Sequence, residues 1–225
     1  MWRSAPRLAL ADRAPLVLAT RSRGKIPELI ALCAARGFAS ESLDSAGLAE
    51  VPDEIGIEIH DTFAENAEAK ARWFAERLPG RMILADDSGL EVDALDGAPG
   101  VHSKNFSGAA LLGHALDAAN NARLEAALRD ARNRRARYRC VVIITDGRDL
   151  WRGDGIVAGR IGEAPEGTGG FGYDPWFVSD ELGQTFGVAS LEEKSRVSHR
   201  ARALHACFDA AGAVLSARVA ARARG

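Results

Sequence analysis

Apolar positions change period several times along the chain. Leu16-Val17-Leu18-Ala19-Thr20 is a short continuous apolar run, and after a polar turn Ile26, Leu29, Ile30 and Cys33 fall at i, i+3, i+4 and i+7. That change predicts strand, loop and helix, with Pro27 in the first helical turn and Gly37 just past the end. Residues 38–60 are acidic and irregular, with Glu50, Asp53, Glu54 and Glu58 close together. Thr62 and Glu65 form a capping box, and Phe63, Ala67, Ala71, Phe74 and Leu78 trace a helical face that ends before Pro79-Gly80. Residues 82–85 read as a buried strand that delivers Asp86-Asp87-Ser88-Gly89 at its carboxyl end. Side chains alternate along a strand, so one carboxylate can face the core and the other a cleft.

The second half continues the alternation. Residues 111–132 are helical in composition, with Leu112, Leu116, Ala119, Leu124 and Leu128 as inward positions. Arg132, Arg134, Arg135 and Arg137 follow, either a nucleic-acid patch or cations at a helix end that complement its dipole. Residues 138–145 and 150–157 predict two strands around an Asp146-Gly147 turn. Ser190 and Glu193 make another capping box, and Leu204, Phe208, Ala211 and Leu215 form one stripe of the terminal helix. The sum is an α/β protein with a long mixed central β-sheet flanked by helices, in two lobes with an active cleft between them.

Composition narrows the partners. At 225 residues the chain can bury a sizeable core as a single domain from residue 16 onward. A net charge of -2 argues against general coating of nucleic acid. No apolar run is long enough to span a bilayer, so small-molecule partners are expected. Cys33, Cys140 and Cys207 are odd in number and set among apolar residues, which predicts reduced core thiols and a cytoplasmic location. Residues 1–15 read as an unstructured extension, with an organellar presequence as the alternative.

Four parts of the chain carry candidate chemistry. Thr20-Arg21-Ser22-Arg23-Gly24-Lys25 joins a strand to a helix, where an α/β sheet usually binds ligand, and its hydroxyls and cations suit phosphate; a solvated basic turn is the bland alternative. Residues 167–177 combine four glycines, a proline, aromatics and Asp174, which suits a shaped loop: either a tight turn or a ligand wall in which Phe171 offers a flat face. Lys194-Ser195-Arg196-Val197-Ser198-His199-Arg200 puts cations at a helix start, an unfavourable arrangement that a bound polyanion would offset. Asp87 with an acidic residue from 50–58 would suffice for Mg²⁺, which commonly uses one or two carboxylates with phosphate oxygens and water.

Leu18-Ala19-Thr20 through Gly24-Lys25, Thr62-Phe63-Ala64-Glu65-Asn66-Ala67 with Lys70-Ala71, residues 85–90, Gly97-Ala98-Pro99-Gly100-Val101, residues 168–175, and Glu193-Lys194 with Ser198-His199-Arg200 together resemble the Ham1/inosine triphosphatase family. These are nucleoside triphosphate pyrophosphatases that remove non-standard purine nucleotides. The resemblance implies Mg²⁺-dependent hydrolysis between the α and β phosphates of inosine, deoxyinosine or xanthosine triphosphate, in a homodimer that binds neither nucleic acid nor membrane. It makes Asp87 the catalytic carboxylate and, with Glu54, a metal ligand. Extra residues Ile57 to His60 precede Thr62, so Glu50 and Glu58 are alternatives to Glu54. Lys25, Lys70 and Lys194 would hold the triphosphate, Thr20, Ser22 and Ser88 would line its pocket, and Phe171 would stack on the purine with Gly172 beside it. His199 and Arg200 would read the base edge, while Tyr173 and Asp174 would brace the turn. Ser22 stands where the family usually has asparagine, and Ser103-Lys104-Asn105-Phe106 where it commonly has Ser-Ala-Arg-aromatic. A pyrophosphatase for modified pyrimidines and a nucleotide-binding sensor without catalysis are the rival readings.

Overall fold

Strand β1 (Leu16–Leu18) is apolar on both sides because it lies inside the sheet: Leu16 and Leu18 enter one core, Val17 and Ala19 the other. The computed structural model describes residues 14–222, so residues 1–13 of the expected extension lie outside the described residues. After β1 come α1 (Lys25–Ala35), β2 (Ser40–Ser42), α2 (Phe63–Arg77), β3 (Ile83–Val92), α3 (Gly113–Ala127), β4 (Arg135–Thr145), β5 (Leu150–Ile161), β6 (Phe177–Ser179), α4 (Leu191–Val197) and α5 (His199–Arg222). The six strands form one mixed sheet in the order β2-β1-β3-β4-β5-β6. Strand β1 runs parallel to β2 and β3, and the remaining pairs are antiparallel.

The sheet is covered in three places. One face of its β1 end packs on α1 and α5 through Leu29, Cys33, Leu204 and Phe208, and the other packs on α2 through Phe63, Ala67 and Phe74. A third cluster gathers Leu90, Tyr138 and Val157 of the long strands with Leu124 of α3 and with Tyr173, Phe177 and Phe186. Two helical groups thus cover separate stretches of β3, β4 and β5. Helix α5 lies directly on β5: a Cβ at Gly153 would sit 2.1 Å from the Ala203 carbonyl, and one at Gly155 would sit 2.1 Å from that of His199. Only glycine permits that approach, and it fixes where the amino end of α5 falls.

Several expectations change at the residue level. Strand β3 does not end before Asp86; it pairs with β4 from Ile83 to Val92, which puts both acids in mid-strand. Its polar residues hid the strand from a reading based on apolar runs. On α1, Ile30 is exposed and Glu28 is buried instead. Leu112 precedes α3 and is 87 % exposed. The arginines after α3 divide their work: Arg134 donates to the Leu128 carbonyl at the helix end, whereas Arg135 and Arg137 lie on β4 and pair with Asp180 and with Glu91 and Asp93. The hairpin of β4 and β5, the Ser190–Glu193 capping box and the stripe on α5 occur as expected. Cys33, Cys140 and Cys207 are buried free thiols. No described helix is long and apolar enough to cross a membrane.

Candidate active site

The site forms where β1 stops. Strand β1 pairs with β3 only at Ile83 and Leu84, so a gap opens beside β3 from Ala85 until Leu90, where the 97–105 segment takes up that edge through the Ser103 hydroxyl and the bridge between Glu91 and Pro99. The chain leaves β1 through Thr20–Lys25 at this same place. It is held there by the Thr20 hydroxyl, which accepts from the Ser22 N–H at 3.1 Å, and by the Ser22 carbonyl, which accepts from Lys25 at 3.1 Å. Ligands of open α/β sheets bind at such a carboxyl end, where neighbouring strands part.

Asp86 and Asp87 present themselves to opposite sides of β3. Asp86 is fully buried, and its Oδ2 lies 3.1 Å from Lys25 Nζ and 3.2 Å from Arg200 Nε. Burial opposes its charge, but Lys25 and Arg200 outweigh that and hold its carboxyl far below the usual range. Asp87 turns toward α2, where Asn66 Nδ2 donates to it at 3.1 Å, and it also accepts from the Ser88 N–H at 2.9 Å. Burial is the largest influence on Asp87; with the like charges of Glu58 and Asp86 it outweighs Lys25 and Lys70 and raises the carboxyl above its ordinary value.

Glu58, rather than Glu54, is the acid of the 50–58 segment that stands by Asp87. Glu54 is clasped by Arg21, whose Nε and Nη2 donate to its two oxygens at 3.0 and 2.8 Å. Glu58 pairs with Lys70, which also donates to the Asp86 carbonyl at 2.8 Å. Burial opposes ionisation of Glu58, but Lys70 and Lys25, with a smaller contribution from Lys104, lower its pKa. Glu54 lies within the 3-10 turn Pro52–Gly56 and reaches back to Arg21, whereas Glu58 follows that turn and reaches Lys70.

A buried ionic network supports these groups from behind. Arg200, 1 % exposed, pairs with Glu28 and Asp86 and donates to Ser88 Oγ at 3.0 Å. Lys194 lies 2.6 Å from both Glu28 Oε1 and Asp174 Oδ2. Burial works against the Lys194 charge, yet Asp174 and Glu28 raise its pKa. The cations at the start of the terminal helices therefore have internal carboxylate partners, and no bound polyanion is needed to explain them. His199 is buried and stacked on Tyr138, ring centroids 4.6 Å apart, with no partner for Nδ1 among the described residues. Burial, then Arg200 and Lys194, drive its pKa well below the usual value, so the ring is neutral.

The glycine-aromatic loop closes one side. Phe171 lies flat on Gly24, where an added Cβ would sit 2.4 Å from the ring, and Lys194 Nζ is 5.1 Å from its centroid. Asp174 accepts from the Phe171 N–H at 2.9 Å, and the Tyr173 hydroxyl donates to the Ser103 carbonyl at 2.8 Å. Asp174 and Tyr173 thus brace the turn. Gly172 is held by α3, with its N–H 3.2 Å from Asp117 Oδ2 and its carbonyl 3.0 Å from Asn121 Nδ2. Ser103 fastens the neighbouring 3-10 turn, Gly100–Asn105, to β3 by accepting from the Leu90 N–H at 2.8 Å. Lys104 and Asn105 project from that turn and are exposed.

The structure therefore brings together Lys70, Asp87 and Glu58 on one side and Lys194, His199, Arg200, Ser88 and Phe171 on the other, with Lys25 on Asp86 and close enough to Asp87 to influence its charge. Sequence reasoning missed Glu28, Asp117 and Asn121. A polar residue inside a helical pattern reads as solvent-facing, and only the out-of-phase Ile30 could have drawn attention to α1.

Chains of known proteins share this layout. The Ham1 family model matches residues 16–210. The dITP/XTP pyrophosphatase of Acidobacterium capsulatum is 44 % identical over 196 residues, covering 84 % of this chain and 94 % of the relative. A HAM1 protein structure from Coxiella burnetii superposes with a TM-score of 0.70 at 31 % identity, over 85 % of this chain and 95 % of that one. A structure from Mycobacterium abscessus, described as a nucleoside-triphosphatase or dITP/XTP pyrophosphatase, gives a TM-score of 0.62 at 37 % identity, over 85 % and 97 % of the two chains.

Proposed function

The chain belongs to the Ham1 family, and from that premise we propose that it is a nucleoside triphosphate pyrophosphatase acting on deoxyinosine, inosine and xanthosine triphosphates, in a single domain from residue 16. The observation that carries the reading is the meeting of Asp87 and Glu58 with Lys25 and Lys70 where β1 stops, Lys70 bonding both Glu58 and the Asp86 carbonyl; the pKa values of the two acids are pushed in opposite directions there. Environments that separate two carboxylates in this way suit them to different tasks. Glu58 stays an anion. Asp87, with the higher pKa, is the better proton acceptor and orients the attacking water.

The donor set fits Mg²⁺. Two carboxylates, substrate phosphate oxygens and water are the hard ligands this ion takes, and among the described residues no cluster of three or more histidine, cysteine or acidic residues suggests another metal. Asp87 and Glu58 would hold the ion, which when bound neutralises phosphate charge and lowers the pKa of water. Lys25 and Lys70 bind phosphate oxygens, with Lys104 supplying a further cation near Glu58 that offsets Asn105. The hydroxyls of Thr20 and Ser22 line the same loop. Water oxygen bonds to the α phosphorus, its proton passes to Asp87, and the bond to the α–β bridging oxygen breaks so that pyrophosphate leaves.

Lys194 and Arg200, each tied to buried carboxylates, set the position of Phe171 and Ser88. Phe171 walls the purine, and neutral His199, whose buried Nδ1 has no partner among the described residues, would read the base edge and favour a 6-keto base over a 6-amino one. The protein works in the cytosol, a compartment that keeps three buried thiols reduced. We extend the reading to a homodimer on the ground of family membership alone. A panel of triphosphates with Mg²⁺ tests the substrate class: preference for a pyrimidine over inosine triphosphate would overturn it.

A further inference from the structure

Two polar residues of helix α3 reach the glycine-aromatic loop, and a third beside them holds the 104–107 turn. Asn120 is buried, and its amide accepts from the Ser107 N–H at 2.8 Å and donates to the Lys104 carbonyl at 2.8 Å. Asp117 and Asn121 stand one turn apart on the helix and share one target. Asp117 takes the N–H of Gly172 and Asn121 takes its carbonyl. The backbone group so gripped is a glycine with φ of +59°, and a Cβ there would meet nothing within 4 Å. Close packing therefore does not hold this residue in place. Two side-chain bonds from α3 do, together with the neighbouring Tyr173 hydroxyl bond to Ser103.

We infer that Asp117 and Asn121 are positioning residues for base selection: by gripping Gly172 at both ends of its backbone they fix how far Phe171 reaches over the base pocket. The inference rests on the pyrophosphatase reading above. Asp117 and Asn121 are half-buried, unlike the core positions Leu116 and Leu124 on the same helix. Their polar identity is explained by the loop they hold. Phosphate handling belongs to other elements, so loosening the loop acts on the base and leaves the triphosphate contacts in place.

The test compares Asp117→Ala, Asp117→Asn, Asn121→Ala and the double alanine variant of the full chain. Loss of one such bond should raise KM for inosine triphosphate by about three- to tenfold and lower its kcat/KM advantage over adenosine triphosphate by a similar factor, with kcat changed less than about twofold. Asp117→Asn keeps an acceptor for the Gly172 N–H and should retain most of the selectivity. The double variant should fall short of the product of the singles, because both act through one residue. Hydrogen exchange across residues 169–174 should quicken in the alanine variants whatever the enzyme's substrate proves to be. Unchanged selectivity in folded alanine variants with faster loop exchange would overturn the inference; so would unchanged exchange. Absence of wild-type turnover on inosine triphosphate would instead count against the pyrophosphatase reading.

Discussion

Asp86 and Asp87 are consecutive residues of β3 whose carboxylates occupy opposite sides of the sheet and opposite electrostatic regimes. Asp86 is locked by Lys25 and Arg200 and serves as a fixed internal anion. Among the described residues Asp87 takes hydrogen bonds from two neutral donors, Asn66 and the Ser88 N–H, and retains acceptor capacity. Strand alternation produces this division of labour: one residue anchors Lys25 and Arg200, and its neighbour keeps acceptor capacity on the α2 side of the sheet.

The raised pKa of Asp87 predicts the acid limb of the pH profile. Cation and water both need the carboxylate, so kcat/KM should rise with pH through a value above about 3.9, the ordinary aspartate figure. Because Mg²⁺ binds only the ionised form, more Mg²⁺ should move that limb to lower pH. Rate measurements across pH at two Mg²⁺ concentrations check this; a limb indifferent to Mg²⁺ would separate Asp87 from the cation.

Glu58 and Glu54 should behave differently when neutralised. Glu58→Gln is expected to weaken Mg²⁺ activation by at least about tenfold to a hundredfold. Glu54→Gln loosens the clasp on Arg21 and should cost about 1 kcal/mol of stability while leaving the Mg²⁺ requirement near wild type. Mg²⁺ titrations of activity together with thermal unfolding distinguish them, and the reverse pattern would restore Glu54 as the ligand.

Glu28 holds Arg200 and Lys194 together beneath the site. Burial opposes its charge, but those two cations overcome it and lower its pKa. A lowered carboxylate pKa means that its stabilisation is present above the unfolded value of about 4.3 and is lost as pH falls through the folded one. Glu28→Gln should therefore destabilise the protein at neutral pH by about 3–5 kcal/mol, as breaking a buried ion pair does. Its unfolding midpoint should also depend less on pH between neutrality and the acid range than that of the wild type. Equal midpoints at pH 7 would contradict the assignment.

Much of this arrangement was legible from local pattern. The run at 16–20 followed by a helical period located β1, the loop and α1, and the two capping boxes located α2 and α4, because those signals depend on residues close in sequence. Only one half of the Thr62 box forms as written: Thr62 accepts from the Glu65 N–H, while the Glu65 carboxylate accepts from the Thr62 hydroxyl instead of its N–H. What escaped notice depends on distant partners. Strand β3 continues through Asp86 to Val92 because β4 supplies hydrogen bonds along its whole length. Glu28 is buried because Arg200 is 172 positions away in sequence and adjacent in space. Spacing cannot reveal such pairs. Glu54 and Glu58 are four residues apart in an irregular segment, so spacing does not decide which faces Asp87; their distant partners Arg21 and Lys70 do.

The central claim concerns which bond breaks and which residue is needed to break it. Incubating the full chain with inosine triphosphate and Mg²⁺, and resolving products by phosphorus resonance, should give inosine monophosphate and pyrophosphate in equal amounts. Asp87→Asn should lower the rate by about a thousandfold or more with its fold intact. Release of orthophosphate and inosine diphosphate, or near-normal turnover by the folded variant, would contradict the claim.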